Sequence, residues 1–412
     1  MIPAYSISKA AGSNLTQSLR SLLKSQGVTV HGVFLGPIDT DMNRGLEIPN
    51  APPAAAAQGI FDGLEKGEED IFPDPASFPA AEGWRAGIAK RMGFLYQQQP
   101  EQLDHDRKAT EQEGTLTKPP IIARWSGFRI QKISPPPMNS RSLPGFTIEG
   151  RIGGAPPKQQ EDNMHSLASK TMVVIGGSRG VGRQIVEAGI RNSARVLAVA
   201  RDEGRLARLA REVPGTETLS LDATDEAAPA KVFGVLKPDI LVVAAGAFPP
   251  TAPLHKQNWH EFAVNWESDV KIAFHFVKAA LSTPLSAGST IVLISSGAAL
   301  AGSPNSGGYA GAKRTQIFMA NYSQKESDRL GLDLKFLVLA PRMMPDTELG
   351  KHAVAGYSHY LGISASDFIK SMATPPTSSD VAAGVIELVT RPNRPKESVF
   401  IVTGKGLEAV AA

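Results

Sequence analysis

Residues 172–182 read Met172-Val173-Val174-Ile175-Gly176-Gly177-Ser178-Arg179-Gly180-Val181-Gly182. The first four residues are apolar and three of them are β-branched, which predicts a buried strand. The spacing Gly-x-x-x-Gly-x-Gly then predicts a tight turn that opens a helix. Such a turn brings backbone N–H groups and the positive end of a helix dipole against a pyrophosphate. The stretch therefore predicts a dinucleotide-binding α/β domain.

The regular pattern around this turn extends over residues 164–412. Apolar runs predict strands at 171–175, 195–200, 218–221, 240–244, 290–295, 334–339 and 399–402. Helical stretches separate them, and strands that alternate with helices imply a parallel sheet, because parallel strands need crossover connections. The predicted fold class is α/β, with a Rossmann-like, doubly wound parallel sheet.

Residues 1–100 predict a partial α/β fragment. Apolar residues recur at helical spacing after Tyr5, and a β-branched run at 28–35 predicts a strand. A second amphipathic stretch covers about 54–66, and a short apolar segment follows at 70–73. The order of these elements is helix, strand, helix and short strand.

Residues 101–163 have a different composition from the rest of the chain. Charged residues alternate there with proline and glycine, and neither a helical nor a strand period is sustained. A structureless stretch of this length is unusual inside a compact domain. We therefore expect a disordered linker between the fragment and the complete domain.

The bulk composition is that of an ordinary globular protein. The 412 residues include 42% hydrophobic and 20% charged residues, with a net charge of +3 and no cysteine. No long basic run supports a nucleic-acid or membrane-surface role. The chain shows neither a signal-peptide pattern nor an apolar run of about 20 residues. We expect a cytoplasmic protein, and the spacing of its histidines predicts no metal site.

Two arginines near the glycine turn indicate which dinucleotide is bound. Arg179 lies inside the turn, and Arg201 ends the second strand, where an acidic residue would repel a 2′-phosphate. Two guanidinium groups suit a phosphate dianion. The sequence therefore favours NADP(H). NAD(H) stays open, because Asp202 is adjacent and Arg201 can also be a solvated residue at a helix start.

A serine, a tyrosine and a lysine predict redox chemistry at a hydroxyl or carbonyl group. Ser296 follows the strand at 290–295, and Tyr309 and Lys313 lie four residues apart, on one face of a helix. A phenol titrates near ~10, and a nearby ammonium lowers that pKa by stabilising phenolate. Tyr309 would transfer a proton, Lys313 would lower its pKa, and Ser296 would hold the substrate oxygen.

Together these motifs resemble the short-chain dehydrogenase/reductase family over residues 164–412. The resemblance implies an NADP(H)-dependent oxidoreductase that interconverts a carbonyl and an alcohol, in a homo-oligomer (a dimer or tetramer). The implied catalytic residues are Asn265, Ser296, Tyr309 and Lys313. The implied cofactor-binding residues are Gly176, Ser178, Arg179, Gly180, Val181, Gly182, Arg201, Asp222, Ala245, Gly246, Tyr309, Lys313 and Thr347.

Several of these positions rest on the resemblance alone. Asp222 matches the family's contact to adenine, and Asn265 matches the asparagine that links the catalytic lysine to a chain of waters. Thr347 matches a contact to the nicotinamide carboxamide. Arg342 stands where the family has glycine, and residues 343–372 are expected to form a substrate lid.

The pair Tyr5 and Lys9 repeats the catalytic Tyr-x-x-x-Lys motif. With the elements that follow, it resembles the family's final third, without the glycine turn that precedes it in the family. We therefore expect one active site and interpret residues 1–100 as the truncated end of a second family member, produced by fused reading frames or a partial gene model. Two alternatives stay open: a second site completed by another chain, and a helix over 6–25 that docks where family members dimerise.

Two other classes of function also stay open. A non-catalytic NADP(H)-binding sensor or scaffold would use the same cofactor site, although it would not need a tuned phenol. An interaction protein organised by its linker is the other alternative. The predicted partner is a small carbonyl or alcohol, with no nucleic acid and no membrane.

Overall fold

A computed structural model describes residues 3–43, 49–79, 81, 84, 167–391 and 395–410. The predicted linker at 101–163 lies outside the described residues, as does the predicted start of the main domain at Met164. The strands, numbered along the chain, are β1 (Gly32–Val33), β2 (Asp70–Ile71), β3 (Thr171–Ile175), β4 (Arg195–Ala200), β5 (Thr216–Ser220), β6 (Ile240–Val243), β7 (Thr290–Ile294), β8 (Lys335–Pro341), β9 (Val399–Thr403) and β10 (Gly406–Val410).

The α-helices surround these strands. They are α1 (Pro3–Leu23), α2 (Pro53–Glu65), α3 (Gly180–Arg191), α4 (Glu203–Glu212), α5 (Ala228–Val235), α6 (Trp259–Asn265), α7 (Lys271–Ser282), α8 (Ala298–Ala301), α9 (Gly307–Leu330), α10 (Glu348–Leu361), α11 (Ala365–Lys370) and α12 (Ser378–Thr390). A π-helical turn at Trp266–Val270 joins α6 to α7.

The main sheet has eight strands in the order β10-β9-β8-β7-β6-β3-β4-β5. All neighbouring strands are parallel except β9 and β10, which are antiparallel. The chain winds outward from β3 through β4 to β5, then returns to β6 and winds the other way. This reversal confirms the predicted doubly wound fold and opens a crevice beside the carboxyl ends of β3 and β6.

Both faces of the sheet are buried, which explains the uninterrupted apolar runs of the sequence. Along β3, Val173 and Ile175 pack into one core cluster, and Met172 and Val174 pack into the cluster on the opposite face. Phe276 of α7 is fully buried in the first cluster, with its ring edge-on to Phe233 at 6.0 Å.

The predicted strands 171–175 and 195–200 begin and end where β3 and β4 do. The other five predicted strands of this sheet differ from the observed ones by at most two residues at either end. The sequence gives no signal for β10, because this edge strand is mostly exposed and forms no apolar run.

The predicted strand at 28–35 is wrong over most of its length. Only Gly32 and Val33 form β1, and among the described strands they pair with β2 alone. Val28 and Leu35 are 48% and 53% exposed, so their apolar side chains do not mark a buried strand. A two-stranded contact buries too little surface to extend the pairing.

The N-terminal fragment has a polar anchor of its own. The buried Arg20 of α1 pairs with the buried Asp70 of β2, with 2.7 Å between Nη2 and Oδ1. Arg20 also donates through Nε to the carbonyl of Val30 at 2.8 Å, and Trp84 donates to Asp70 at 3.0 Å. These contacts tie α1 to the short parallel pair of strands.

The two phenylalanines of α7 offer a matched test of the main core. Phe276→Ala empties a fully buried position and should lower the free energy of unfolding by about 3–5 kcal/mol. Phe274→Ala, at a side chain that is 50% exposed, should cost much less. Equal losses in denaturant titrations of the two variants would contradict this description of the core.

Candidate active site

A cleft of about 750 Å³ opens at the carboxyl ends of the parallel strands. Its walls include the residues that end β4 and β7, the glycine turn after β3, and residues of α9 and α10. The cleft therefore lies at the reversal of strand order, where open α/β sheets bind their ligands. All predicted catalytic and cofactor-binding residues except Asn265 line it.

The glycine turn leaves no room for side chains at several of its positions. Gly176 has a φ of +91°, and a Cβ there would lie 2.6 Å from the backbone nitrogen of Ala245. A Cβ on Gly182 would lie 2.1 Å from the carbonyl oxygen of Gly176. Arg179 occupies the N-cap position of α3, and its side chain makes no capping hydrogen bond. The helix start thus presents backbone N–H groups to the cleft, as a pyrophosphate site requires.

A carboxylate lies between two arginines at one end of the cleft. Arg179 Nη1 is 2.6 Å from Glu348 Oε2, and Arg205 Nη1 is 3.3 Å from Glu348 Oε1. These hydrogen bonds, first of all the one from Arg179, hold the pKa of the exposed Glu348 below its usual range. Arg205, which the sequence reasoning missed, is three residues from Asp202, whose carboxylate caps α4.

Two other predicted cofactor residues have structural partners. Asp222 Oδ1 accepts hydrogen bonds from the backbone nitrogen and the hydroxyl of Thr224, at 2.9 and 2.8 Å, and the backbone bond is the main cause of its lowered pKa. Thr347 caps α10: its hydroxyl accepts from Gly350 N at 2.8 Å and donates to Met344 O at 3.0 Å. The contact of Thr347 with a carboxamide stays a prediction.

The structure brings Ser296, Tyr309 and Lys313 together. Ser296 lies just beyond β7, its hydroxyl lies near enough to the phenol of Tyr309 to lower the pKa of that phenol, and it accepts from Ala298 N at 3.2 Å. Lys313 Nζ lies 5.7 Å from the centre of the Tyr309 ring and donates to the carbonyl of Ile294 at 3.0 Å. A proton donor, a cation and a hydrogen-bonding hydroxyl therefore share one end of the cleft.

Asp269 is the partner of Lys313, and the sequence reasoning missed it. Asp269 Oδ1 lies 3.0 Å from Lys313 Nζ, and its side chain is only 1% exposed. Its other oxygen accepts from Asn265 Nδ2 at 3.1 Å, from Ser268 Oγ at 2.8 Å and from Ala247 N at 3.0 Å. The sequence signal that could have identified Asp269 is its position, one helical turn after Asn265 and just before an apolar helix.

Asn265 is thereby linked to Lys313 through Asp269. Its amide also donates to the carbonyl of Ala247, at 2.9 Å. Gly246 allows Asp269 to lie close to the backbone, since a Cβ there would lie 2.5 Å from Asp269 Oδ1. The π-helical turn contains Asp269, and such turns are frequent at functional sites.

The charges around Tyr309 oppose one another. Burial raises the pKa of its phenol, Lys313 and the Ser296 hydroxyl lower it, and Asp269 raises it. Burial is the largest single influence on Lys313 and would lower its pKa, but attraction to Asp269 and to Tyr309, with the hydrogen bond to Asp269, together outweigh burial and raise that pKa. The protonated phenol and the charged lysine are thus both favoured.

The predicted lid is helical. Tyr357 of α10 lines the cleft and stacks on Phe368 of α11, with ring centres 5.6 Å apart. Phe368, His352 and Tyr360 are not among the residues that line the cleft, and His352 instead contacts the carbonyl of Pro249 at 2.9 Å. Arg342 lines the cleft beside Gly297.

Two features are absent from the described part of the chain. No group of three or more histidine, aspartate or glutamate side chains there is placed to hold a metal ion. None of the described helices combines the length and the apolar character needed to cross a membrane.

The sheet and its cleft define an α/β protein with a dinucleotide-type site. A family model described as short chain dehydrogenase matches residues 1–50 and 170–357. The two stretches make up more than half of the chain, and the protein belongs to the short-chain dehydrogenase family. The match includes both copies of the Tyr-x-x-x-Lys motif.

Three individual proteins are similar to this chain. L-xylulose reductase from Bos taurus is 33% identical over 151 residues, which cover 36% of this chain and 61% of that protein. The short chain dehydrogenase/reductase AacuD from Aspergillus aculeatus is 32% identical over 171 residues, covering 39% of this chain and 60% of its own length. The chain thus spans about three fifths of these curated relatives. A dehydrogenase/reductase of known structure from Sinorhizobium meliloti 1021 is 23% identical, with a TM-score of 0.49 over 60% of this chain and 98% of that one.

Replacing Asp269 tests the opposing charges. Asp269→Asn keeps the shape of the side chain but removes the negative charge that raises the pKa of Tyr309. The phenolate absorbance of Tyr309 is obtained by subtracting the spectrum of the same protein that also carries Tyr309→Phe. This absorbance is expected to appear at lower pH in Asp269→Asn than in the wild type. Ser268→Ala, which removes a partner of the carboxylate but leaves its charge, is the control. A midpoint that stays in place or rises in Asp269→Asn would refute this account.

Proposed function

We propose that this protein is an NADP(H)-dependent oxidoreductase that interconverts a carbonyl and an alcohol. The observation that carries the proposal is the convergence of Ser296, Tyr309 and Lys313 on one end of the cleft, with the glycine turn at the other. A protein that only sensed the dinucleotide would not need a buried lysine beside a phenol. The proposal therefore favours catalysis over a sensor or scaffold.

The residues of the cleft fit a dinucleotide. Gly176 and Gly182 let the turn pack tightly on neighbouring backbone, a Cβ on Gly180 would meet only open space, and the start of α3 offers N–H groups for a pyrophosphate. When bound there, the nicotinamide would donate or accept a hydride at the substrate carbon. Asp222 is proposed to contact the adenine, and Lys313 the nicotinamide ribose.

The chain's own groups would manage the proton. In carbonyl reduction, the Ser296 hydroxyl would hold the substrate oxygen and the protonated Tyr309 would give that oxygen its proton. Lys313, held by Asp269, would stabilise the phenolate that remains. In alcohol oxidation, Tyr309 would have to lose its proton first, so the raised pKa of this phenol favours oxidation only at higher pH.

The choice of NADP(H) rests on the arginines near the adenosine end. Glu348 lies against both Arg179 and Arg205, so these guanidinium groups already bind one anion. Asp202, the acidic residue that kept NAD(H) open, caps α4 and lies 3.3 Å from Arg205. A 2′-phosphate would find Arg201, Arg179 and Arg205 available once it displaces Glu348.

For the substrate, a small polyhydroxylated carbonyl compound is the first class to test. The relative from Bos taurus is named for the reduction of L-xylulose, and the residues that the family model matches include residues of the cleft. We propose ketoses as the core of a carbonyl panel, extended to aliphatic and aromatic ketones.

Tyr309→Phe is the decisive variant for catalysis. Loss of the proton donor should lower kcat for NADPH-dependent carbonyl reduction by about 10²–10⁴-fold, while the Kd for NADPH changes little. Tyr322→Phe, on the same helix but outside the cleft, should keep wild-type activity. Tight NADPH binding by the wild type without turnover of any carbonyl in the panel would refute the enzyme and support a sensor.

Arg201→Ser tests the cofactor choice. Each charge-assisted contact to a phosphate contributes about 1.5–3 kcal/mol, so the Kd for NADPH should rise about tenfold or more. The Kd for NADH should stay the same, because NADH lacks the phosphate. Arg208→Ser on α4, which does not line the cleft, is the matched control. A wild type that binds NADH as tightly as NADPH would overturn the assignment.

A further inference from the structure

The N-terminal helix α1 lies against α8 and α9 of the main domain. Two buried polar side chains of α1 make directed contacts across this boundary. Asn14 Nδ2 donates to the carbonyl of Ala299 at 3.1 Å, and Ser303 N donates to Ser18 Oγ at 3.1 Å. Asn14 and Ser18 are 4% and 6% exposed, so water does not compete freely for these bonds.

Both contacts fall on one segment, residues 296–306, which connects the proposed oxygen-holding serine to the helix of Tyr309. We call this segment the serine loop. Its first residue, Ser296, accepts from Ala298 N at 3.2 Å, and Asn14 binds the next residue, Ala299. The serine loop ends at Ser306, the N-cap residue of α9.

The serine loop is also a wall of the cleft. Gly302 and Ser306 line the cleft, and Gly302 has a φ of +78°. A Cβ on Gly302 would lie 3.0 Å from the backbone nitrogen of Ser18, so the glycine allows close approach of α1. The same residue therefore faces α1 and the proposed substrate space.

Ser303 connects α1 to the lid. Its backbone nitrogen is held by Ser18, and its hydroxyl bonds both Ser306 Oγ, at 2.7 Å, and the phenolic oxygen of Tyr357. Tyr357 belongs to α10 and lines the cleft. Movement at Ser18 would therefore reach the lid through a single residue.

A helix that only shielded apolar surface of α9 from water would not need these hydrogen bonds. Covering the surface of α9 requires only that apolar atoms leave water, and this imposes no direction. Hydrogen bonds from Asn14 and Ser18 to main-chain groups instead fix the positions of those groups. Catalytic groups lose much of their effect when they are displaced by about 1 Å, so a fixed serine loop matters for turnover.

We propose that α1 is a working part of the active site, with Asn14 and Ser18 as positioning residues that hold the serine loop. Residues of the N-terminal fragment then contribute to turnover without touching substrate or cofactor. The kinetic half of this proposal rests on the proposed oxidoreductase function. The half that concerns the serine loop does not.

The test uses the full chain and two matched serines of α1. Ser18→Ala removes the acceptor for Ser303 N, whereas Ser21→Ala removes a hydroxyl that, among the described residues, bonds within its own helix, to Gln17 O at 3.3 Å. Hydrogen exchange of the peptides that cover 299–306 is compared with that of the glycine turn. Ser18→Ala, and Asn14→Ala likewise, should speed exchange in the serine loop by about fivefold, with no change in the glycine turn or in Ser21→Ala.

Kinetics on the same proteins complete the test. Ser18→Ala should lower kcat for carbonyl reduction about fivefold with an unchanged Kd for NADPH, and Ser21→Ala should match the wild type. A wild type with no turnover would refute the proposed oxidoreductase function. The exchange data would still show whether Ser18 and Asn14 hold the serine loop. Exchange in Ser18→Ala equal to that in Ser21→Ala, or faster exchange with an undiminished kcat, would overturn the proposal.

Discussion

The buried pair of Lys313 and Asp269 is the interaction on which the site depends. Lys313 comes from α9 and also donates to the end of β7, while Asp269 comes from the π-helical turn and accepts from the loop after β6. Four separate segments thus meet at one ion pair. Removing two charges from water is costly, and the cost is offset only when every remaining donor and acceptor finds a partner. Here Asn265, Ser268 and Ala247 satisfy the second oxygen of the carboxylate.

A second electrostatic centre, formed by Glu348, Arg179 and Arg205, lies in the same cleft, and it differs in kind. Glu348, Arg179 and Arg205 are partly exposed, so water and salt weaken their mutual attraction. A pair of this sort can exchange partners at little cost, whereas Lys313 and Asp269 cannot. The cleft therefore combines a fixed, buried ion pair with an exchangeable anion site at the start of α10.

Much of this arrangement can be predicted from the sequence, because it is encoded by residues that are close together in the chain. The strands of the main sheet are continuous apolar runs because both faces are covered, and the glycine spacing follows from close approaches at Gly176 and Gly182. Tyr309 and Lys313 share a helix face by spacing alone. By contrast, Asp269 looks like an ordinary solvated carboxylate, and only the fold places it beside Lys313. Contacts that join distant residues, such as Asn14 with Ala299 or Arg179 with Glu348, leave no local pattern.

The packing of α1 on α9 brings together two helices that carry the same Tyr-x-x-x-Lys motif within one chain. A helix supplied by a second molecule would be lost on dilution, because its occupancy would follow the concentration of the protein. Covalent attachment replaces that concentration with an effective one that dilution does not change. The serine loop is thus braced to the same extent in a single molecule as in a concentrated solution.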